Sequence, residues 1–182
     1  MTSDVVFIGG RSGTGKTSVG LEIHAQLSAA GVIHCLIEGD FLDMAYPTPW
    51  HHNLAERNLS AVWTNYRALG YHRLIYTNTV SVLPDEMDKL TAAMGDKPNV
   101  IAVLLTCTDI TARKRLGQRE IGSTLESHLT SSANMSTRLQ AGIAASTHQI
   151  PTDNRSVTDI ATHIIDLTNW LPDALQGSLD SD

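Results

Sequence analysis

The chain has 182 residues, which suits one domain with a full hydrophobic core, and 42% of them are apolar. Its net charge of -6 argues against binding to a nucleic-acid backbone, because that binding needs clustered Lys and Arg. No apolar run approaches the roughly 18 residues of a membrane span, and the N-terminus lacks the positive charge of a signal peptide. We therefore expect a cytoplasmic protein with no nucleic-acid or membrane partner, in which Cys35 and Cys107 are free, buried thiols.

Strands and helices alternate five times along the chain. Apolar, β-branched runs predict strands at 5–8, 32–40, 73–80, 99–107 and 148–153. Helical spacing and capping residues predict helices at 15–31, 50–70, 83–95, 108–120, 124–145 and 156–171. This alternation predicts an α/β fold, with a parallel sheet covered by helices on both faces. We expect a single domain over 1–172 and a flexible tail over 173–182.

Residues 10–17 read GRSGTGKT and match the whole pattern G-x-x-x-x-G-K-[ST], between a predicted strand and a predicted helix. In this loop, glycines turn backbone N–H groups toward phosphate oxygens, and the following helix points its positive end at the same anion. Arg11 and Ser12 occupy freely varying positions, so neither side chain is given a role. The predicted nucleotide-binding segment comprises Gly10, Ser12, Gly13, Thr14, Gly15, Lys16, Thr17 and Ser18.

The loop predicts a nucleoside triphosphate with Mg²⁺. Lys16 is expected to reach the β and γ phosphates, and the Thr17 hydroxyl is expected to bind the metal that bridges them. Guanine-specific proteins normally carry N-K-x-D at the end of a strand, and this sequence does not. We therefore expect ATP rather than GTP.

Four segments together resemble the P-loop small-molecule kinases, which include the adenylate, gluconate, shikimate and adenylylsulfate kinases and chloramphenicol phosphotransferase. The segments are GGRSGTGKTSVG, then IEGDF after the second predicted strand, then TARKRLGQRE, then PTDNRSVTDIA. The resemblance implies a three-layer sandwich with the strand order 2-3-1-4-5. It also implies a helical lid over about 111–140, and ATP and Mg²⁺ as the phosphate donor and its metal.

Asp40 follows the second predicted strand, at the edge where doubly wound sheets bind their ligands. The resemblance implies that a carboxylate here accepts the proton of an acceptor hydroxyl, or holds Mg²⁺ through water. The alternative is a cap for the segment that begins at Phe41. Glu38 lies two residues back on the same strand face and is a further candidate for the metal site, with Asp43 weaker still.

A predicted helix holds four of the 13 basic residues of this acidic chain, namely Arg113, Lys114, Arg115 and Arg119. Arg115 and Arg119 are four residues apart and share a helix face. The resemblance implies that arginines here belong to a lid, where one stacks on adenine and others reach the transferred phosphate. Arg138 is expected to close from the far side of the lid. The alternative is a solvated helix face with Glu120 as a partner.

The resemblance assigns two more regions. Asn154, and with it Ser156, lies in a segment like the loop that contacts adenine in these kinases. Tyr46, Trp50 and His51 precede the helix that covers the acceptor, so they are candidates to line the acceptor pocket, with core packing as the alternative.

One expected residue is missing. The third strand of P-loop proteins often ends in an acidic residue that holds the water shell of Mg²⁺, whereas this strand ends in YTNTV at 76–80. Either Asp40 or Glu38 replaces it, or the chain binds ATP and transfers phosphate poorly.

We expect a kinase that moves the γ-phosphate of Mg·ATP to a hydroxyl or phosphate of a small molecule, acting as a monomer or a homodimer. Lys16, Asp40, Arg115 and Arg119 are the expected catalytic residues. An ATP-binding switch or ATPase without kinase activity is the alternative. The sequence leaves the acceptor open among a nucleotide, a sugar acid and an antibiotic alcohol.

Overall fold

The computed structural model describes residues 2–119 and 125–171, except for the side chains of Trp50, Arg119 and Leu125. The predicted tail over 173–182 and Glu120 lie outside the described residues. Within the described ranges, no helix combines the length and the apolar character that a membrane span requires.

Five parallel strands form one sheet in the order β2-β3-β1-β4-β5, which confirms the predicted strand order. The strands are β1 (Asp4–Gly9), β2 (Cys35–Glu38), β3 (Arg73–Thr77), β4 (Asn99–Thr106) and β5 (His148–Pro151). The helices of the described part are α1 (Lys16–Ala29), α2 (Leu54–Ala68), α3 (Pro84–Met94), α4 (Asp109–Arg119), α5 (Leu125–Gly142) and α6 (Val157–Thr168).

The hydrophobic core lies in two layers, one on each face of the sheet. Alternate side chains of β1 enter different layers, because successive residues of a strand point to opposite faces. Val6 and Ile8 pack with residues of α1 and α6, whereas Val5 and Phe7 pack with residues of α2 and α3. This arrangement confirms the prediction of helices on both faces of the sheet.

Two predicted elements are interrupted near the carboxyl edge of the sheet. The second strand, predicted over 32–40, ends at Glu38, and Gly39–Phe41 form a 3₁₀ turn. The helix predicted over 50–70 is divided at Asn53, which adopts a left-handed conformation with φ 48° between a 3₁₀ turn at Trp50–His52 and α2. Both interruptions occur where the chain turns toward the candidate site.

The turn after β2 depends on a close contact between Gly39 and Tyr76. A Cβ atom built on Gly39 would lie 2.3 Å from both Cζ and Oη of Tyr76, a distance at which atoms overlap. Tyr76 is only 1% exposed, and its ring packs edge-to-face on Phe7 at 5.6 Å, so it has little room to move. The absence of a side chain at position 39 is therefore what allows the backbone to pass over this ring.

We expect Gly39→Ala to lower the free energy of unfolding by about 1–3 kcal/mol, since the new methyl group overlaps the buried ring of Tyr76. Gly117→Ala is the matched control, because Gly117 lies in α4 with no atom within 4 Å of its Cβ position. We expect that variant to be neutral or up to about 1 kcal/mol more stable. Urea unfolding monitored by circular dichroism measures both, and equal stabilities would contradict the steric account.

Candidate active site

The loop between β1 and α1 has the conformation that its sequence pattern predicts. Gly13 and Gly15 have φ values of 90° and 95°, in the left-handed region that glycine adopts without strain. The Thr14 hydroxyl donates to the carbonyl oxygen of Arg11 at 2.9 Å, which closes the loop on itself. Lys16 begins α1 and is 8% exposed. The segment thus combines a loop of glycines, a helix N-terminus and a buried lysine, as an anion site requires.

A hydroxyl and a carboxylate meet at the start of α1. The Thr17 hydroxyl donates to Glu38 Oε2 at 2.7 Å. The other carboxylate oxygen of Glu38 is buried and has no hydrogen-bond partner in the part of the chain that the structure describes. Hydroxyl and carboxylate oxygens are ligands that Mg²⁺ prefers. Thr17 and Glu38 therefore fit a magnesium site, and an unsatisfied oxygen at this position is the observation that favours one.

Asp40 lies beside this pair, and its side chain is oriented by the end of β3. Asp40 Oδ1 accepts hydrogen bonds from Asn78 Nδ2 at 2.8 Å and from the backbone N–H of Thr79 at 3.3 Å. The carbonyl oxygen of Thr79 in turn accepts, at 3.1 Å, from the N–H of Gly10, which begins the loop over residues 10–17, called the phosphate loop below. Asp40 does not cap the turn at Gly39–Phe41, because the N-cap position belongs to Glu38. Asn78 follows the end of β3, near the position where many P-loop proteins carry an acidic residue, and its side chain donates a hydrogen bond to Asp40.

A cavity of about 490 Å³ opens beside Asp40, within the size range of small-molecule sites. A neighbouring cavity of about 360 Å³ includes Ser12 of the phosphate loop and shares Thr79 and Met135 with the first. We call the first one the acceptor cavity. Its position places any molecule that it holds next to Asp40 and close to the phosphate loop.

The wall of the acceptor cavity that α2 provides differs from the predicted one. The described lining residues near the start of α2 are Asn53, Leu54, Ala55 and Glu56. Tyr46 is 98% exposed, and neither it nor His51 lines the cavity, while the side chain of Trp50 lies outside the described part. The left-handed residue Asn53 separates the residues before it from α2, so the helix itself supplies this wall.

Arg115 contacts the back of the phosphate loop. Its Nη1 donates to the carbonyl oxygens of Gly13 and Thr14, at 3.1 and 3.3 Å, and to the hydroxyl of Thr152 at 2.9 Å, while Nη2 donates to the Thr152 carbonyl at 3.0 Å. One guanidinium therefore joins the phosphate loop to the segment after β5. In this structure its hydrogen bonds serve the loop itself, and its predicted contact with nucleotide stays a prediction.

Unlike Arg115, the other arginines predicted to belong to the lid form no described hydrogen bond to the phosphate loop. Arg113 forms an exposed ion pair with Glu126 of α5, with Nη1 3.0 Å from Oε1. The side chain of Arg119, at the end of α4, lies outside the described residues. Arg138 of α5 is exposed and lines the acceptor cavity. Helix α5 also contacts the phosphate loop, because the Ser132 hydroxyl donates to the carbonyl oxygen of Ser12 at 2.9 Å.

The segment after β5 is fixed to the start of α4 by Asp153. The Asp153 carboxylate accepts from the N–H and hydroxyl of Thr108 and from the hydroxyl of Thr111. These bonds, the one from Thr111 foremost, lower the pKa of Asp153. Asn154 is exposed and left-handed at φ 55°, and Ser156 caps α6 by accepting from the N–H of Asp159 at 3.0 Å. The predicted adenine-side loop is thus an ordered turn next to Arg115.

Sequence reasoning missed two buried residues of the site. Arg11 was given no role, yet it is 3% exposed, pairs with Asp109 of α4 and donates to the Cys107 carbonyl oxygen at 3.0 Å. The loop pattern allows any residue at this position, and the partner Asp109 is distant in the chain, so the sequence shows no sign of this ion pair. Tyr76 was not singled out and lines the acceptor cavity. Its position near the end of β3 was the available signal, because parallel sheets bind ligands at the carboxyl ends of their strands.

Comparison with known proteins rests on structure alone, since no family model and no curated protein matches this sequence. A Mycobacterium tuberculosis APS kinase, solved with AMPPNP and APS, is 17% identical and matches with a TM-score of 0.57 over 91% of this chain and 97% of that one. A gluconokinase from Sinorhizobium meliloti is 19% identical, with a TM-score of 0.60 over 91% of this chain and 94% of that one. A tunicamycin resistance protein from Deinococcus radiodurans is 16% identical, with a TM-score of 0.61 over 92% of this chain and 96% of that one.

The chain has the fold of the P-loop small-molecule kinases. The matches extend over nearly the full length of each chain, and the strand order is the one expected from the resemblance. At these identities the likeness concerns the P-loop kinase fold, and the chemistry of this chain rests on its own side chains.

We expect Arg115→Met to lower the free energy of unfolding by about 2 kcal/mol, because it leaves partly buried carbonyl groups without their donor. Arg113→Met is the matched control, since its ion pair with Glu126 is exposed and such pairs contribute about 0–1 kcal/mol. Chemical unfolding of both variants measures the difference. Equal stabilities would contradict a structural role for Arg115 in the absence of nucleotide.

Asp153 generates a prediction about pH. A carboxyl group whose pKa is lowered by folding stabilises the protein above its unfolded pKa, and this contribution is lost as the pH falls through the folded pKa. We expect Asp153→Asn to lower the free energy of unfolding by about 1 kcal/mol at pH 7. This value is small because the side chain is partly exposed and solvent weakens its interactions. The cost should diminish below about pH 4. Asp166→Asn, at an exposed position of α6, is the control. A pH-independent difference in the melting temperatures would contradict the assignment.

Proposed function

We propose that this protein is an ATP-dependent phosphotransferase that moves the γ-phosphate of Mg·ATP to a hydroxyl group of a small molecule. The observation that carries the proposal is the position of Asp40. Its carboxylate is oriented by Asn78 and Thr79 and lies between the phosphate loop and a cavity large enough for a small molecule.

The phosphate loop and Lys16 would bind the triphosphate, with Thr17 and Glu38 as the residues that hold Mg²⁺. When bound, the metal supplies charge that neutralises the β and γ phosphates. The buried position of Lys16 strengthens its attraction to phosphate, because a charge is screened less away from water. Arg115 stabilises the loop, and we propose that Arg119 and Arg138 approach the phosphates from the lid helices.

Asp40 would act on the acceptor. Only Oδ1 of its carboxylate is engaged by described residues, so Oδ2 remains to accept a proton. In the proposed step, the acceptor oxygen forms a bond to the γ-phosphorus as its proton passes to Asp40. The bond from the γ-phosphorus to the bridging oxygen breaks, and ADP leaves. Most of the rate enhancement then comes from positioning and from charge stabilisation.

The structural neighbours support this proposal at the level of the reaction class. They include an APS kinase solved with AMPPNP and APS, a gluconokinase and a shikimate kinase solved with shikimate. Kinases with this fold therefore bind a nucleotide analogue and small acceptors. Their acceptors do not transfer to this chain, since the identities are 15–19%.

A second function, an ATP-binding switch, is favoured by one observation. The third strand ends with Thr77 and Asn78 and carries no acidic residue in the position where many P-loop enzymes hold the metal's water shell. In a switch, the nucleotide state would set the affinity for a protein partner. Nucleotide-dependent partner binding without acceptor phosphorylation would favour this function over the kinase.

The decisive experiment measures ADP formation from Mg·ATP, first with the protein alone and then with nucleotides, sugar acids and hydroxylated antibiotics. We expect one acceptor class to raise the rate well above the rate with water. Lys16→Ala should abolish transfer. Asp40→Asn should lower kcat by about 100-fold or more, with little change in ATP affinity.

Asp88→Asn provides the control, because Asp88 is an exposed residue of α3 that does not line the acceptor cavity. It should turn over like the parent protein. Equal turnover of Asp40→Asn and the parent would remove Asp40 from the chemistry. If no acceptor raises the rate of ADP formation while the protein still binds ATP, the ATP-binding switch would be favoured over the kinase.

A further inference from the structure

The acceptor cavity is acidic. Its lining includes four carboxylates, Asp40, Asp43, Glu56 and Glu86, against two cations, Lys89 and Arg138. Lys89 lies 2.9 Å from Glu86, so these two charges neutralise each other. The remaining carboxylates outnumber the remaining cation.

Asp43 and Glu56 form no ion pair within the described ranges. Burial raises the pKa of Asp43, and the negative charges of Asp40 and Glu56 raise it further. The part of this shift that comes from Asp40 and Glu56 is what a negative electrostatic potential produces. The cavity therefore attracts positive charge and repels negative charge.

A second feature of the same cavity points to a polar ligand. Tyr76 lines the cavity and is only 1% exposed, yet its hydroxyl has no hydrogen-bond partner among the described residues. The hydroxyl oxygen is not fully buried, so a molecule in the cavity can reach it, and a phenol hydroxyl can both donate and accept a hydrogen bond. Burial, with the surrounding carboxylates, raises the pKa of Tyr76, so the group stays protonated at neutral pH. A bound molecule with hydroxyl or amine groups would supply the missing partner.

The carboxylates of the cavity are not arranged as a metal centre. Within residues 2–119 and 125–171, no group of three or more His, Cys, Asp or Glu side chains is placed to hold a metal ion. An organic cation fits the acidic lining better, because separate carboxylates each pair with a separate ammonium group. Anionic acceptors fit it poorly, because sites for carboxylate or phosphate normally place arginine against the anion. Here the single arginine of the lining, Arg138, is exposed.

We propose that the acceptor is an alcohol that also carries at least one protonated amine, such as an amino sugar or aminocyclitol. This inference rests on the proposed function, since it names the substrate class of the same site. The hydroxyl that receives the phosphate lies toward Asp40, and the ammonium group lies toward Asp43 and Glu56. The cavity of about 490 Å³ has room for one or two sugar rings.

The test compares ligands that are roughly matched in size and different in charge. The amine-bearing members are glucosamine and neamine, the neutral members are glucose and trehalose, and the anionic members are gluconate and lactobionate. Dissociation constants are measured by calorimetry with Mg·AMPPNP present, which separates binding from transfer. Phosphate transfer from Mg·ATP is then measured separately. We expect the amine-bearing member of a pair to bind about tenfold or more tightly than its neutral counterpart.

Two variants test whether the tighter binding of amine-bearing ligands depends on the carboxylates of the acceptor cavity. Glu56→Gln should weaken neamine binding by about tenfold and leave trehalose binding unchanged, because it removes one carboxylate and keeps the side-chain shape. Asp88→Asn removes the same charge from α3 outside this cavity and should change neither. Equal effects of the two variants would mean that only the net charge of the protein matters, which would overturn the inference.

The outcomes separate this inference from the proposed function. Preferred binding or transfer to a neutral or anionic member, or no preference at all, would overturn the amine assignment and leave a kinase in place if transfer occurs. Selective binding of amine-bearing members with no phosphate transfer would support the assignment of the cavity and overturn the kinase.

Discussion

The packing of Gly39 on the ring of Tyr76 is the contact on which the geometry of the site depends. It allows β2 to end in a tight turn that packs against the neighbouring strand β3. Because of that turn, Glu38 bonds to Thr17 while Asp40 bonds to Asn78 and Thr79. Two carboxylates separated by one residue thus serve two different places, one beside the candidate metal site and the other at the mouth of the acceptor cavity.

The phosphate loop is stabilised from several directions by residues distant in sequence. Arg115 binds its carbonyl groups from α4, Ser132 binds the Ser12 carbonyl from α5, and Thr79 binds the Gly10 N–H from the end of β3. Arg11, whose side chain is buried, adds an ion pair with the exposed Asp109. These contacts limit the conformations of a glycine-rich segment whose backbone entropy would otherwise oppose a fixed anion site.

The two ends of the site differ in charge. The phosphate loop combines Lys16 with a helix N-terminus, and Arg115 lies behind it, so that side attracts a polyanion. The charged side chains that line the acceptor cavity are four carboxylates and two cations, so its charge is negative. Such a separation favours a nucleotide at one side and a neutral or positively charged molecule at the other, which also prevents a second polyanion from occupying the acceptor cavity.

The sequence by itself determined the fold class, the strand order implied by the resemblance and the position of the phosphate loop. The fold class and the loop position follow from local patterns, since apolar runs, helical spacing and an eight-residue loop pattern are readable without knowledge of distant residues, whereas the strand order came from the resemblance alone. The position of Asp40 and Glu38 at the end of the second strand singled them out as candidate site residues. The sequence could not assign the two residues to different partners, because that division depends on the turn at Gly39.

Only the tertiary structure decided which side chains meet. The bonds of Arg115 to Gly13 and Thr152, and that of Asp40 to Asn78, join residues far apart in the chain. The acidic lining of the acceptor cavity was equally hidden, because its carboxylates come from the turn after β2, from α2 and from α3. Each of these segments reads as an ordinary polar stretch. Their shared charge becomes visible only when the parallel sheet brings their ends to one edge, since electrostatic potential depends on distance in space and not along the chain.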